Sequence, residues 1–419
     1  MAKPRNERGL PRIRNIEISE KNTKLRWILA GVFLLIGLVA IGFGVNSFFS
    51  AQEGWQEVEV TANETNCGGD FVLNYCFGKS GMTPTAERRQ VVNCYNQAVV
   101  DAWKLFNTDI SDENMGGLDR INRNPNKAIS VDPGLYRALQ QIVESGTRYV
   151  YLAPVYEEYQ FVFSADNEVL AAESDPLQND DVARYLSEVT AFANDASHIS
   201  LELQGNNQVL LHVSDAYLAF ATTNEFGNFL DFGWMKNAFI IDFLAKRLSD
   251  AGHTAGYLAS FDGYTRNLDS RGEQFNYNLF DRLQDSIFLP AMLQYDQPMS
   301  IVFLRNYPMG SRDKGNYYTF SDRKILTSYL DPADGLYKST TDNLVAYSTE
   351  RTCGEIALAA APLFVADSLD TDGLTRLVGN DIYSIWFEGE KLLYNEQNAA
   401  IVVQNTDGTA YEKQFYKTN

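Results

Sequence analysis

The stretch Leu230–Asp242 reads LDFGWMKNAFIID and crowds Asp231, Gly233, Trp234, Lys236 and Asn237 into one short junction. Ala238 to Ser249 then carries apolar residues at a helical period, so the junction is a turn that opens a helix. Backbone N–H groups and an ammonium at such a helix start can receive an anion, and oxygen donors there can receive a hard cation. The same residues also serve as an ordinary strand–helix connection, with Lys236 a solvated lysine. No histidine lies in this stretch, since the three in the chain are His198, His212 and His253. Cysteine chemistry is sparse as well, with Cys67, Cys76, Cys94 and Cys353 alone. No second close Cys or His pair follows Cys67 and Cys76, which leaves zinc a weak alternative.

The elements that must position this turn read as a mixture of helices and strands without strict alternation, which predicts an α+β fold. Thr85 to Phe106 predicts a helix with Val91, Val92, Tyr95, Ala98, Val99, Ala102, Trp103 and Phe106 on its apolar stripe. Asp132 is placed to cap a helix from Pro133 to about Ser145, because proline is tolerated in a first helical turn. YVYLAPVYEEYQFVF, residues 149–163, alternates aromatics in the manner of a strand. A helix over Asp181–Ala193 and strands near Ile199–Leu203 and Val209–Val213 follow. HTAGYLASFDGYTRNL reads strand–turn–strand around Asp262-Gly263. The C-terminal stretch from Ile382 reads as a series of hairpins.

Residues 27–49 contain no charge and are long enough to cross a bilayer as one helix. The tail before them holds eight Lys or Arg against Glu7, Glu17 and Glu20. That one-sided flank predicts a retained anchor with a cytoplasmic N-terminus and everything after Phe49 outside. The expected organisation is a basic tail at 1–26, a membrane anchor at 27–49, a Cys-containing stalk or cap at 50–85 and an α+β domain at 86–419. Removing a tail of net +5 from the chain's −19 leaves the exterior part at about −24. A surface this acidic argues against nucleic acid as a partner. Cys67 and Cys76 frame CGGDFVLNYC in a compartment where disulfides persist, and are expected to form a short staple; Cys94 and Cys353 are left open.

Four segments, in order, resemble the FAD:protein FMN transferase (ApbE-like) family over roughly residues 90–385. LDRINRNPNKAISVDPGLYRALQQIVE is similar to the segment after that family's first helix. LDFGWMKNAFIIDFLAKRLSDAGHTAGYLASFDGY is similar to its glycine-rich turn and the glycine pair beyond. LTSYLDPADG is similar to its H-x-x-DP-x-x-G segment, and APLFVADSLDT to its AD-x-x-x-T segment. The resemblance implies an ApbE-like α+β domain, with FAD and magnesium as cofactors. The family moves FMN from FAD onto a threonine of a target protein, which calls for a hard cation at the pyrophosphate and oxygen ligands for it.

Carried over residue by residue, the resemblance assigns metal ligation to Asp367 and Thr371. It places flavin-side positions at Gly233, Trp234, Lys236, Asp262 and Gly263, and catalytic positions at Asn237, Ser328 and Asp331. The departures are substantial. Trp234 stands for a glycine, Lys236 for the alanine whose carbonyl faces the cation, Asn237 for a lysine and Ser328 for a histidine. Asp331 also has an ordinary reading as turn chemistry, and Asp367 with Thr371 as a helix cap and a surface threonine. The reading is therefore a membrane-anchored, extracytoplasmic relative of weak or absent activity that binds flavin or a partner protein. The alternative is an active magnesium-dependent transferase that flavinylates exported redox proteins. Asp367 and Thr371 are expected to converge on the 231–242 turn, with Trp234 in the pocket there.

Overall fold

The computed structural model describes residues 52–417 apart from 61–62, 64, 111, 113–114, 285, 314 and 405–409. The basic tail and the apolar span at 27–49 lie outside the described residues. Among the described residues no helix is long and apolar enough to cross a membrane.

A nine-stranded sheet organises the fold. Its spatial order is β1 (Gly54–Val58), β2 (Phe71–Phe77), β6 (Gly256–Ser260), β7 (Tyr264–Asn267), β10 (Met299–Arg305), β13 (Asn343–Ser348), β14 (Tyr383–Glu388), β15 (Lys391–Tyr394) and β17 (Glu412–Phe415). Smaller sheets are formed by β3 (Ala128–Ser130), β5 (Gln208–Val213) and β4 (Ile199–Gln204), by β16 (Ala400–Val403), β9 (Ser286–Tyr295) and β8 (Phe275–Leu283), and by β11 (Tyr317–Thr319) with β12 (Ile325–Thr327). The helices are α1 (Pro84–Phe106), α2 (Leu118–Asn122), α3 (Pro133–Ser145), α4 (Ala153–Phe163), α5 (Glu168–Ser174), α6 (Asp180–Asn194), α7 (Asp215–Thr223), α8 (Lys236–Asp250), α9 (Cys353–Phe364) and α10 (Thr371–Val378).

Because strand side chains alternate, the central strands feed two cores. Val302, Leu304, Leu344, Ala346 and Trp386 face the helical side. Ile301, Phe303, Val345, Tyr347 and Ile385 face the other, where β8, β9 and β16 contribute Leu279, Ala291, Leu293 and Ile401. With both faces covered, β10 and β13 are buried at every residue.

The helices expected at Thr85–Phe106 and from Pro133 both form. Thr83 and Pro84 open α1, whose Val91, Tyr95, Ala98, Val99, Ala102 and Phe106 are buried. The Asp132 side chain accepts from the Gly134 N–H at 2.6 Å and starts α3. Four expectations are corrected. Residues 50–85 are not a stalk, because β1 and β2 are strands of the main sheet, paired to each other and through β2 to β6. Residues 149–163 are not a strand: Pro154 sits in the first turn of α4, and Val155, Tyr159 and Val162 are buried at helical spacing. The C-terminus is not a plain hairpin series, since β16 leaves to pair with β9 and β17 runs parallel to β15.

The Cys67–Cys76 staple is the fourth correction, as all four cysteines are free. The Cys67 thiol donates to the Val99 carbonyl at 3.2 Å. Cys76 lies near the far end of the extended β2. At roughly 3.3 Å per strand residue it is carried on the order of 15 Å past the turn that follows Cys67, and a disulfide spans at most about 7 Å between Cα atoms.

Candidate functional site

The junction between Leu230 and α8 is built around glycine. The Asp231 carboxylate accepts the Gly233 N–H at 2.7 Å, closing a side-chain-to-backbone turn. Gly233 has φ +55°, and a Cβ there would overlap the ring of Tyr156. One turn of 3-10 helix over Gly233–Met235 leads into α8. Phe232 anchors the turn inward, its ring 5.3 Å from Phe106 and 4.9 Å from Phe239. Trp234 is 7% exposed, edge-on to Tyr149 and Tyr329, and its carbonyl accepts from the Tyr264 hydroxyl at 3.1 Å.

This turn walls a cavity of about 680 Å³. Gly233, Trp234, Lys236, Asn237, Asp262 and Ser328 all line it, so six positions spread over nearly a hundred residues of chain meet in one place. Trp103, Tyr156 and Phe161 add aromatic walls, and Asp109, Glu157 and Asp231 add carboxylates. Gly263 does not join them. It has φ +115°, its carbonyl accepts the Phe303 N–H at 2.8 Å, and it lines a second cavity of about 550 Å³ on the other side of the β6–β7 turn.

The polar groups of the first cavity are unevenly satisfied. Asn237 donates to Asp262 Oδ2 at 2.9 Å. Asp262 Oδ1 is buried without a partner, and so is Trp234 Nε1. Burial pushes the Asp262 carboxyl up to about 6; the neighbouring Ser260 hydroxyl, the Asn237 amide and the charge of Arg305 oppose it, and Asp70 adds to it. Glu157 is raised by burial, against the pull of the Asn228 amide, and the charges of Asp109 and Asp231 raise it further. Lys236 has no ion-pair partner among the described residues, although its charge lowers Asp70, which burial raises. The cavity thus presents aromatic faces, carboxylates and one ammonium, and two of its lining residues, Trp234 and Asp262, each hold a buried polar atom without a partner. These suit a planar heterocycle with donors and acceptors on its edge.

No protein-family model matches the sequence, and no curated protein matches it. The fold does have matches among solved structures. An ApbE protein from Thermotoga maritima superposes with a TM-score of 0.55 at 12% identity, covering 83% of this chain and 96% of that one. The flavin transferase ApbE from Vibrio cholerae superposes with a TM-score of 0.52 at 11% identity, covering 85% and 99%. The chain has the ApbE fold.

Magnesium was the cation that the ApbE resemblance implied, and the residues present do not fit it. Asp367 and Thr371 do not line the cavity at the turn. Asp367 is 87% exposed and lies 3.5 Å from Lys338 Nζ, while Thr371 is an exposed first residue of α10. Asp367 is tied instead to Lys338, and through it to Asp331, the chain neighbour of the cavity-lining Leu330. The helix that packs on the turn and on α8 is α9, which carries no Asp-x-x-x-Thr pair; its one carboxylate, Glu355, closes a capping box with Thr352. Position 236, expected to aim a carbonyl at the cation, is the first residue of α8, where carbonyls accept N–H groups four residues on. Among the described residues no group of three or more His, Cys, Asp or Glu has the geometry to hold a metal ion.

The remaining positions have clear surroundings. Asp331 lies outside the cavity lining, with Oδ2 2.8 Å from Lys338 Nζ. Ser328 is buried, its N–H bonded to the Asn316 carbonyl. Asp242, at the end of the motif, reaches across to accept the Cys353 and Gly354 N–H groups at 3.0 and 2.7 Å, which satisfies the start of α9. Sequence reasoning missed Lys338, Trp103, Tyr156 and Glu157. For Lys338 the one available signal was its closeness to Asp331 and Asp334 in the chain; the other three had none.

Proposed function

We propose that this ApbE-like domain is a binding module which holds a flavin-type ligand in the cavity at Gly233–Asn237 and has weak or no transferase activity. One observation carries the reading. Trp234 Nε1 and Asp262 Oδ1 are buried polar atoms without partners in the wall of an aromatic cavity, and buried polar groups left unpaired in a native fold call for an absent partner. The names of the structural neighbours, one of them a flavin transferase, support a flavin as that partner. The poor fit to magnesium, with Trp234 and Asn237 at positions the family fills with glycine and lysine, supports loss of the transfer step.

The same proposal places the domain outside the cell membrane on a single N-terminal span, where it serves an exported redox protein or another envelope partner. The charge-free segment 27–49 and its basic flank support this. The test is to titrate FAD and FMN into the full-length protein and follow flavin fluorescence. Quenching is expected, with Trp234→Ala weakening binding at least about tenfold through loss of a stacking face. No AMP is expected when FAD and magnesium are supplied with a threonine-containing target. AMP release with labelling of the target would establish the active transferase instead, and absence of any flavin binding would remove the reading altogether.

A further inference from the structure

The second cavity lies where the small sheet of β8, β9 and β16 stops short of the main sheet's edge. Side chains alternate along β6 and β7, so Leu258 and Tyr264 enter the helical core while Tyr257, Ala259 and Thr265 face the other way. Across β10, β13 and β14 that other face is covered by β8, β9 and β16. Over β6 and β7 the cover ends, because β8 is the last strand of its sheet, and Tyr257, Ala259 and Thr265 floor a groove of about 550 Å³. Phe275, Asn276, Tyr277 and Asn278 all line it, so both faces of β8 take part and the strand's edge borders the groove. Trp55, 42% exposed, lies against Phe275 and Tyr257 at one end. β8 pairs with β9 alone among the described strands. Along its nine residues, every second one therefore turns its N–H and C=O outward with no ladder partner.

We propose that this groove takes an extended, uncharged segment of a partner polypeptide, which adds to β8 as a fourth strand. Sheets ordinarily guard their edges with charge or with short strands. The main sheet does so, with Glu57 in the five-residue β1 and Glu412 and Lys413 in the four-residue β17. β8 opens FNYNLF, six residues without charge or proline. The groove is matched to a neutral segment. In a chain of net charge −19, no carboxylate lines it among the described residues, and its one charged residue, Arg305, is already held by Asp313 at 2.7 Å. A charge brought in would be desolvated without a counter-charge. A strand about 4.8 Å from β8 continues the small sheet at the roughly 10 Å spacing at which stacked sheets interdigitate. Its alternate side chains then meet Tyr257, Ala259 and Thr265, which calls for apolar or aromatic residues at every second position. The inference does not depend on what the cavity at Gly233–Asn237 binds.

The experiment titrates the full-length protein into fluorescein-labelled, end-blocked hexapeptides in which Val, Ile, Tyr or Phe alternates with Thr, and follows anisotropy. Saturable binding by members of this set is expected, with slowed amide hydrogen exchange in β8. Two analogues of the best binder, N-methylated on one or the other alternate set of residues, keep every side chain and lose one edge of donors. One of the two should bind at least about tenfold more weakly, because main-chain bonds carry strand addition. Replacing the apolar residues by Glu should weaken binding at least about tenfold as well. Ala259→Tyr fills the floor of the groove and Asn278→Lys places a charge on the edge, and each should lower affinity at least about tenfold. Asn278 is exposed, so its variant decides if Ala259→Tyr does not fold. No binding by any peptide, equal binding by both N-methylated analogues, or exchange protection away from β8 overturns the proposal. Dimerisation of the protein that Asn278→Lys abolishes also overturns it, since the groove would then serve a second copy of the chain.

Discussion

Replacing Asp262 by asparagine tests whether the cavity keeps a carboxylate at the expense of stability. In the folded chain the carboxyl rises from its ordinary 3.8 to about 6, chiefly through burial. The sign follows from which state holds the proton. Below pH 4 the group is protonated in both states and contributes nothing. Between pH 4 and 6 the unfolded chain ionises while the folded chain resists, so folding stability falls as pH rises. Above pH 6 both states are charged and the loss is complete. At about 1.4 kcal/mol per pH unit the difference reaches about 3 kcal/mol, and because the residue is only partly shielded we expect roughly 1–3 kcal/mol. Asparagine keeps an oxygen acceptor for the Asn237 amide and carries no charge. Asp262→Asn should therefore be more stable than wild type by that amount at pH 7.5, with the advantage shrinking to near zero by pH 4. Urea denaturation at half-unit intervals from pH 4 to 8 reads the difference directly, and titrations elsewhere in the chain cancel in it. Parallel profiles, or a variant less stable at neutral pH, would refute the reasoning. A group that costs stability is retained for another reason, and weakened flavin binding in the same variant would supply it.

Gly233→Ala should destabilise the protein by about 2–4 kcal/mol, since it combines a positive φ with overlap of the buried Tyr156 ring; an unchanged denaturation midpoint would show that the turn is not held as described. The cysteines should behave as four thiols. Reductant should leave Tm unchanged, and Cys67, buried with its thiol pushed up to about 12 by burial and then by Asp70, should react with iodoacetamide only on unfolding. Recovery of a Cys67–Cys76 linked peptide would falsify this.

What could be read from the sequence was whatever local chemistry decides. The α3 start is an example, because Asp132 and Pro133 fix it within two residues whatever packs around them. The β6–β7 hairpin is another, with Asp262-Gly263 at its turn and the predicted strands on either side. Residues 149–163 failed because aromatics at alternating positions satisfy a two-residue period and also cover a helix face; Pro154 was the better guide, since it suits a first helical turn. The strands β1 and β2 were hidden by the Gly-rich, Cys-containing stretch around them. They pair with each other, and β2 joins the sheet through β6, far along the chain at Gly256–Ser260, and no local signal reports that second pairing.

The site divides along the same line. Gly233, Trp234, Lys236 and Asn237 follow one another along the chain, and any fold that makes the turn keeps them together. Asp262 and Ser328 arrived in the same cavity through the order of landmarks that they share with ApbE-like proteins. Asp367 and Thr371 were placed by the same resemblance, through the APLFVADSLDT segment, but neither lines the cavity, and the helix that packs on the turn lies just before them. That helix is α9, which ends at Phe364, before either residue. The cation was mislocated by the same route. The lysine that the resemblance set at the cation position was Lys236, inside the motif, whereas the ammonium that meets the carboxylates belongs to Lys338, outside it. A motif reports which residues a function once required together. Whether a charge there is met by an ion or by another side chain depends on loops that the motif does not cover, and in this chain the Asp331–Lys338 loop provides the side chain.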